Sequence, residues 1–418
     1  MYSSRSKGTE VNLIHIPRLP ASFYDHSDIL RKVQQAGFNR ITSPDAVLAC
    51  LLCRVSASLE PGIALPNQGS LNFITALIGG SGTGKSEAFK ASRALLPDIG
   101  TRVDGWGVGS GQGMTKTIAG KADENGECHI VNPRVLFFAD EGEQLLKVGK
   151  QDSSITLPTI RTAWSGGSLG QTNADADRSR NVGAGLYRFA LTIGLQPRFA
   201  SELLTGVHAG DPQRYLFAHV QHPEQPSVPP RFPEPLEPLN QPAGTELELQ
   251  VDPEVTRLIT DYRVKKQRGE VIDEALDSHR HLLTLKTAGL LSLLHNEDIS
   301  IHWWNMASQV VEVSRNVRTW VIDYALSDEQ TTITRKAETE VSLQIQKDEL
   351  REREVLESMI RSMVKRLKDY GIPANHSVLN QACSGKHKHI VPIDSAISEA
   401  VKRGQIVRTD KGQFVLPR

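Results

Sequence analysis

The stretch Leu71-Asn72-Phe73-Ile74-Thr75-Ala76-Leu77-Ile78, followed at once by Gly79-Gly80-Ser81-Gly82-Thr83-Gly84-Lys85-Ser86, decides the fold. The first part is an apolar run that predicts a buried strand. The second is G-x-x-x-x-G-K-[ST], and its spacing meets three needs of a phosphate-binding loop together. Its glycines let backbone N–H groups turn inward around phosphates, Lys85 reaches the outer phosphates, and the Ser86 hydroxyl completes a Mg²⁺ shell. Glu87 to Leu96 reads as a helix whose N-terminus faces those phosphates. The expected ligands are therefore ATP and Mg²⁺, held by Gly79, Gly80, Ser81, Gly82, Thr83, Gly84, Lys85 and Ser86.

Further along, Val135-Leu136-Phe137-Phe138-Ala139-Asp140-Glu141 is an apolar strand that ends in two acids. Beside a phosphate loop, Asp140 would hold Mg²⁺ through water and Glu141 would orient and polarise the attacking water. Alone, the segment also reads as an ordinary buried strand with an acidic end. A third strand, Phe189 to Leu195, ends in Gln196-Pro197. Gln196 is placed either to sense the γ-phosphate or simply to cap the strand. Arg214 precedes the strand Tyr215 to Val220. It suits an arginine finger acting on a neighbouring subunit, or a surface arginine paired with Asp211. Arg280, near the start of an apolar helix, is either a second sensor reaching back to the nucleotide or a solvated helix residue.

The 418 residues contain 39% hydrophobic and 23% charged residues and have zero net formal charge, which are ordinary values for a soluble globular chain of two or three domains. No membrane span or signal-peptide core is visible, and the four cysteines do not form a disulfide framework. Cys50 and Cys53 lie in an apolar stretch and read as buried helix residues. A reduced, cytoplasmic setting is expected. The domains predicted are a helical extension over 1–60, an ATPase core over 61–222, a Pro-rich extended linker over 223–248, a helical lid over 249–326, a charged linking helix or hinge over 327–350, and a terminal domain over 351–418. The best helices in the extension are Asp28 to Ala36 and Ser43 to Leu59, the second capped by Ser43 or Asp45. Alternating strands and helices in the core imply an α/β fold with a mainly parallel sheet.

The last domain predicts three helices closed by a short hairpin around Asp410-Lys411-Gly412, the winged-helix arrangement. From Ser358 to Arg418 there are eleven basic and four acidic residues, a local excess of about +7. Lys386, Lys388, Arg408 and Lys411 are the residues placed to touch DNA; a winged helix used only for protein contacts is the other reading. Within the core, Ser165 to Asn181 is polar with β-prone flanks and predicts either a projecting hairpin or a solvated loop. In a hairpin, Arg178 and Arg180 could reach a nucleic-acid backbone.

The order of these motifs is similar to the helicase core of MCM proteins. The likeness rests on Val108-Gly109-Ser110-Gly111-Gln112-Gly113-Met114-Thr115-Lys116-Thr117-Ile118, Asn125-Gly126-Glu127, the acidic strand, Gln196-Pro197, Gln213-Arg214-Tyr215-Leu216-Phe217 and the helix His279 to Leu294. It covers about residues 70–330, and the tail in architecture only. The chain looks closer still to the MCM-like or primase-associated ATPases of phages and bacterial mobile elements, which carry Gln-Pro at the sensor strand. The resemblance implies an AAA+ ATPase, hexameric, translocating on DNA as a replicative helicase. It carries over Lys85 and Ser86 as phosphate and Mg²⁺ ligands, Asp140 and Glu141 as the acidic pair, Gln196 as sensor, Arg214 as finger and Arg280 as second sensor. Gln stands for the usual sensor Asn, and the aspartate that normally follows the finger's aromatic is missing. Only about 60 residues precede the core, where MCM proteins have a DNA-binding domain, so loading on DNA is expected to differ or to need a replication partner protein. A DNA-binding AAA+ initiator or helicase loader, with ATP as an assembly switch, is the alternative, and an AAA+ protein remodeller a third.

Overall fold

The run at 71–78 forms strand β1, Phe73–Ile78, with all six residues buried. It lies inside a five-stranded sheet with β2 (Asp104–Trp106), β3 (Arg134–Ala139), β4 (Arg188–Leu195) and β5 (Tyr215–His219). The order across the sheet is β5-β1-β4-β3-β2, and every pairing is parallel. The apolar runs thus became strands buried on both faces, as parallel sheets require. β2 escaped the sequence reading because Asp104-Gly105-Trp106 is short and lacks an apolar run; only its ladder with Leu136 and Phe137 makes it a strand. In this order the chain leaves β1 for the far edge, returns through β3 and β4, and ends on the other side of β1. The carboxyl ends of β1, β3 and β4 therefore meet along one edge, where open parallel sheets bind ligands.

The computed structural model describes residues 16–122, 128–151, 154–171, 180–205, 210–239, 241 and 245–417. The chain divides into two compact units, with the break between Asp328 and Glu329. The helices that matter below are α1 (Asp28–Asn39), α2 (Pro44–Ser58), α3 (Lys85–Leu95), α4 (Gly142–Gly149), α5 (Thr156–Ser165), α6 (Arg280–Leu294), α7 (Ile301–Tyr370) and α8 (Ile393–Lys402).

Every residue of α2 is buried, so this helix is not an appendage: it lies in the core against the sheet, α1 and α3. Apolar residues on every side of the helix require this, and its buried Arg54 is paired with Asp104 at 2.7 Å. Ser43 is its cap, accepting from the Asp45 N–H at 3.3 Å, with Pro44 at the first helical position. Cys50 and Cys53 are free and buried within it, as expected of hydrophobic packing.

The Pro-rich segment has no regular secondary structure from 221 to 239, but it is fastened along its length. Proline lacks an N–H yet leaves its carbonyl free to accept. Residues 35 and 39 of α1 share one helix face and supply the donors. Gln35 Nε2 donates to Arg231 O at 2.7 Å and Asn39 Nδ2 to Pro230 O at 2.7 Å. Gln225 Nε2 returns a bond to Phe38 O at 2.8 Å, and Leu236 N donates to Leu95 O at 2.6 Å. The strap then reaches Leu247–Glu248, which pairs in parallel with Ile63–Ala64. The double variant Gln35→Ala, Asn39→Ala is expected to lose about 2 kcal/mol, roughly 1 kcal/mol per hydrogen bond. A urea-unfolding midpoint equal to that of the unaltered protein would show that the strap contributes nothing.

Strand β5 is a sheet edge, and α7 covers it: the Phe217 N–H, facing outward from the ladder, donates to Ser314 Oγ at 2.7 Å. Helix α6 is held by a fully buried lysine. Lys286 Nζ donates to Trp164 O at 2.6 Å and Asn72 O at 2.9 Å and lies 4.1 Å from the centre of the Trp164 ring. Burial pushes its ammonium well below the usual lysine range.

The second unit is built from α7 beyond Asp328, helices His376–Ala382 and Gly385–Lys388, α8, and the antiparallel pair Val407–Arg408 and Phe414–Val415. Met359, Met363, Leu379, Ala396, Ile406 and Phe414 form its core. The charged segment 327–350 is helical throughout, part of the 70-residue α7, which ends at Gly371 with φ +63°. Among the described residues, no helix is long and apolar enough to cross a membrane.

Candidate functional site

The loop from Gly79 to Gly84 joins β1 to α3, so it opens at the carboxyl edge of the sheet with the first turn of α3 beneath it. Gly84 takes φ +105°, a conformation closed to residues with a Cβ, and α3 starts at the next residue, Lys85. Lys85 Nζ donates to Gly79 O at 2.8 Å and Gly80 O at 2.7 Å, folding the ammonium back over the loop. Thr83 Oγ1 closes the turn on Gly80 O at 2.9 Å.

The end of β3 meets this loop. Ser86 Oγ lies 3.1 and 3.0 Å from the two carboxylate oxygens of Asp140. Two distant stretches of sequence thus place a hydroxyl and a carboxylate where one cation could touch both. That donor set suits Mg²⁺, which keeps several waters and takes few protein ligands. Among the described residues, no group of three or more His, Cys, Asp or Glu is placed to hold a metal. Glu141 is exposed next to Asp140, and its Oε2 accepts from Gln144 Nε2 at 2.7 Å. Gln196 follows directly on the end of β4, and its backbone N–H donates to Glu143 Oε1 at 3.2 Å. Burial pushes the Lys85 ammonium down, while the charges of Glu143 and then Asp140 oppose that shift.

Lys85, Ser86, Asp140, Glu141 and Gln196 are therefore brought to one edge of the sheet. Arg214 and Arg280 are not. Arg214 sits at the start of β5, where Tyr215 pairs with Ile74, whereas the loop follows Ile78. At about 3.3 Å per residue, that is roughly 15 Å away, at the opposite end of the sheet. Asp211 does not neutralise Arg214 by direct pairing: its carboxylate takes Arg161 Nη1 at 2.8 and 2.9 Å. Arg214 instead donates to Gly210 O, and its guanidinium lies 5.6 Å from the centre of the Trp164 ring. Burial lowers its pKa, with Asp211 opposing the shift. Arg280 does not reach back to the loop, because its Nη2 is held by Glu312 Oε2 of α7 at 2.9 Å. The preceding residue, His279, packs on Trp164, and after burial the Arg214 charge is the next cause that lowers its pKa, to about 4. Arg214 thus lies against Trp164 and Arg280 against α7, and neither is bonded to the loop.

No protein-family model matches the chain, and no curated protein matches it significantly.

Three residues at the loop edge escaped the sequence reading. Thr42 Oγ1 donates to Gly84 O at 3.1 Å and lies 3.3 Å from Val220 O, tying the α1–α2 turn to the loop. Ile41 beside it has φ +53° and is 64% exposed, a strained and solvent-facing posture for a β-branched residue. Glu143 is the third. Its place in Asp140-Glu141-Gly142-Glu143 was a signal, but nothing in that spacing indicated that α4 would turn it back toward Gln196. Of the residues expected to touch nucleic acid, Lys386 lies exposed and Lys388 half-buried on Gly385–Lys388, and Arg408 and Lys411 are exposed on the terminal hairpin. The predicted core hairpin exists, with Leu169–Gln171 paired antiparallel to Arg180–Val182. Arg178 and the side chain of Arg180 lie outside the described residues.

Proposed function

We propose that this chain is an AAA+ ATPase of the MCM-like kind, working as a homo-hexamer that translocates on DNA as a helicase. The observation that carries the reading is the meeting of Lys85, Ser86, Asp140 and Glu141 on the carboxyl edge of a parallel sheet. Read as a P-loop, the Gly79–Gly84 backbone and Lys85 bind the phosphates, and Ser86 with Asp140 holds Mg²⁺. The metal's role is to neutralise charge on the transferring phosphoryl group. Glu141, exposed beside it, accepts the proton of the attacking water, and Gln196 orients that water.

The position of Arg214 supports an oligomer. An arginine about 15 Å from its own loop is out of reach of its own phosphates, so as a finger it would serve a neighbour's, acting in trans. Arg280, held by Glu312 and not by the loop, is assigned to that neighbour's site too. The second unit reads as a winged helix, with Lys386, Lys388, Arg408 and Lys411 on DNA phosphates. Helix α8 is the poorer reader of DNA, since its Asp394 pairs with His376 at 2.9 Å and Glu399 lies next to Arg403.

The test is ATP-dependent unwinding of a forked duplex by the purified chain, with oligomer size measured in parallel. We expect unwinding and a ring-sized particle. DNA binding without unwinding would replace this reading with the initiator or loader. Failure to bind single- or double-stranded DNA would replace it with a remodeller of proteins.

A further inference from the structure

Asp211 and Arg214 stand at the two ends of a short 3₁₀ turn, Pro212–Arg214, and the Arg214 N–H donates to Asp211 O at 3.2 Å. Side chains three apart in such a turn eclipse one another, so this carboxylate and this guanidinium are within reach of each other. They do not pair. Asp211 is buried, and both its oxygens take Arg161 Nη1, at 2.8 and 2.9 Å. Arg214 is left to neutral groups, the Gly210 carbonyl and the Trp164 ring. Among the described residues, its Nε has no hydrogen-bond partner. One helix makes this division. Arg161 and Trp164 are three residues apart on α5 and share a helix face. The first occupies the carboxylate, and the second offers Arg214 a ring in place of a counter-ion. Of the two guanidinium groups beside Asp211, one is neutralised and the other is not.

We propose that Arg161 is a positioning residue for the finger: by holding Asp211, it keeps the charge of Arg214 uncompensated and available to a neighbour's phosphates. Without Arg161, the buried carboxylate loses its cation and turns to Arg214, three residues away. A charge-assisted pair there neutralises the finger and ties it to its own subunit. Asp211 is therefore a built-in competitor for the finger, and Arg161 is the group that keeps it occupied.

This inference rests on the reading of Arg214 as a finger in trans, and the test separates the two. Single-turnover phosphate release is measured for the unaltered protein, Arg214→Ala, Arg161→Gln, and the double variant Arg161→Gln, Asp211→Asn. Nucleotide titrations and thermal melts run in parallel. We expect Arg161→Gln to turn over about 10²-fold more slowly, with nucleotide affinity within about two-fold. The double variant has no carboxylate to capture Arg214 and is expected to recover to within about ten-fold of the unaltered protein. A merely structural Arg161 gives no such recovery, because the second substitution removes a further buried group. Equal loss in the single and double variants would overturn the proposal. So would normal turnover by Arg161→Gln where Arg214→Ala is slow, and the finger would then stand. Normal turnover by Arg214→Ala removes the finger and this inference with it, and no hydrolysis by the unaltered protein removes the ATPase reading as well. If Arg161→Gln does not fold, Arg161→Lys takes its place, since a flexible ammonium holds Asp211 less firmly than a rigid guanidinium. The same recovery by Asp211→Asn is then required.

Discussion

Replacing Glu141 by glutamine is expected to slow ATP turnover by about 10²–10⁴-fold while ATP binding is retained. The substitution is nearly isosteric, and a glutamine oxygen can still accept the bond from Gln144 Nε2 that Glu141 Oε2 accepts now at 2.7 Å. Glu141 is exposed at the start of α4 and is not packed in the core, so folding should be unaffected. What is removed is the only property that a base needs, a carboxylate able to take the water's proton. Single-turnover phosphate release measures the loss, and fluorescent-nucleotide titration measures the binding. A turnover within about two-fold of the unaltered protein would remove Glu141 from the mechanism.

The second large effect concerns Arg214. Arg214→Ala is expected to lower turnover by about 10³–10⁵-fold with nucleotide affinity nearly unchanged, the usual contribution of an arginine finger. Loss of the stack on Trp164 costs about 0.5–1 kcal/mol of stability, which a thermal melt would register without accounting for the kinetic loss. The decisive version mixes two inactive proteins, Glu141→Gln and Arg214→Ala. Where one subunit supplies an intact loop and acidic strand and its neighbour an intact Arg214, the shared site is complete. In random equal mixing about a quarter of the sites in a closed ring are of that kind, so activity should return to that order. No recovery on mixing would mean that Arg214 does not act across an interface.

The candidate site was legible where its chemistry depends on neighbours in sequence. Gly79 to Gly84 had to form a loop before a helix because spacing and glycine content leave the backbone few alternatives. The apolar runs at 73–78, 134–139 and 188–195 had to be strands buried on both faces. The helices and closing hairpin of the tail followed from turn residues at fixed offsets. Ser43 as a cap and the burial of Cys50 and Cys53 were readable for the same local reason. Less was legible where a residue's partner lies far along the chain. Glu143 takes its meaning from Gln196, Thr42 from Gly84, and Lys286 from Trp164 and Asn72.

The sequence by itself determined which residues can do chemistry and which segments must be buried. Residue type and short-range spacing carry that information, and water excludes apolar runs wherever they occur. Only the tertiary structure decided which of those residues act together. Parallel strand order brought Asp140 to Ser86 and carried Arg214 to the other end of the sheet. Packing turned the Pro-rich segment from a linker into a strap, because carbonyls with no partner of their own met the side-chain donors of α1. These are long-range matches between groups that local preference leaves open, and each is settled only when the whole core closes around it.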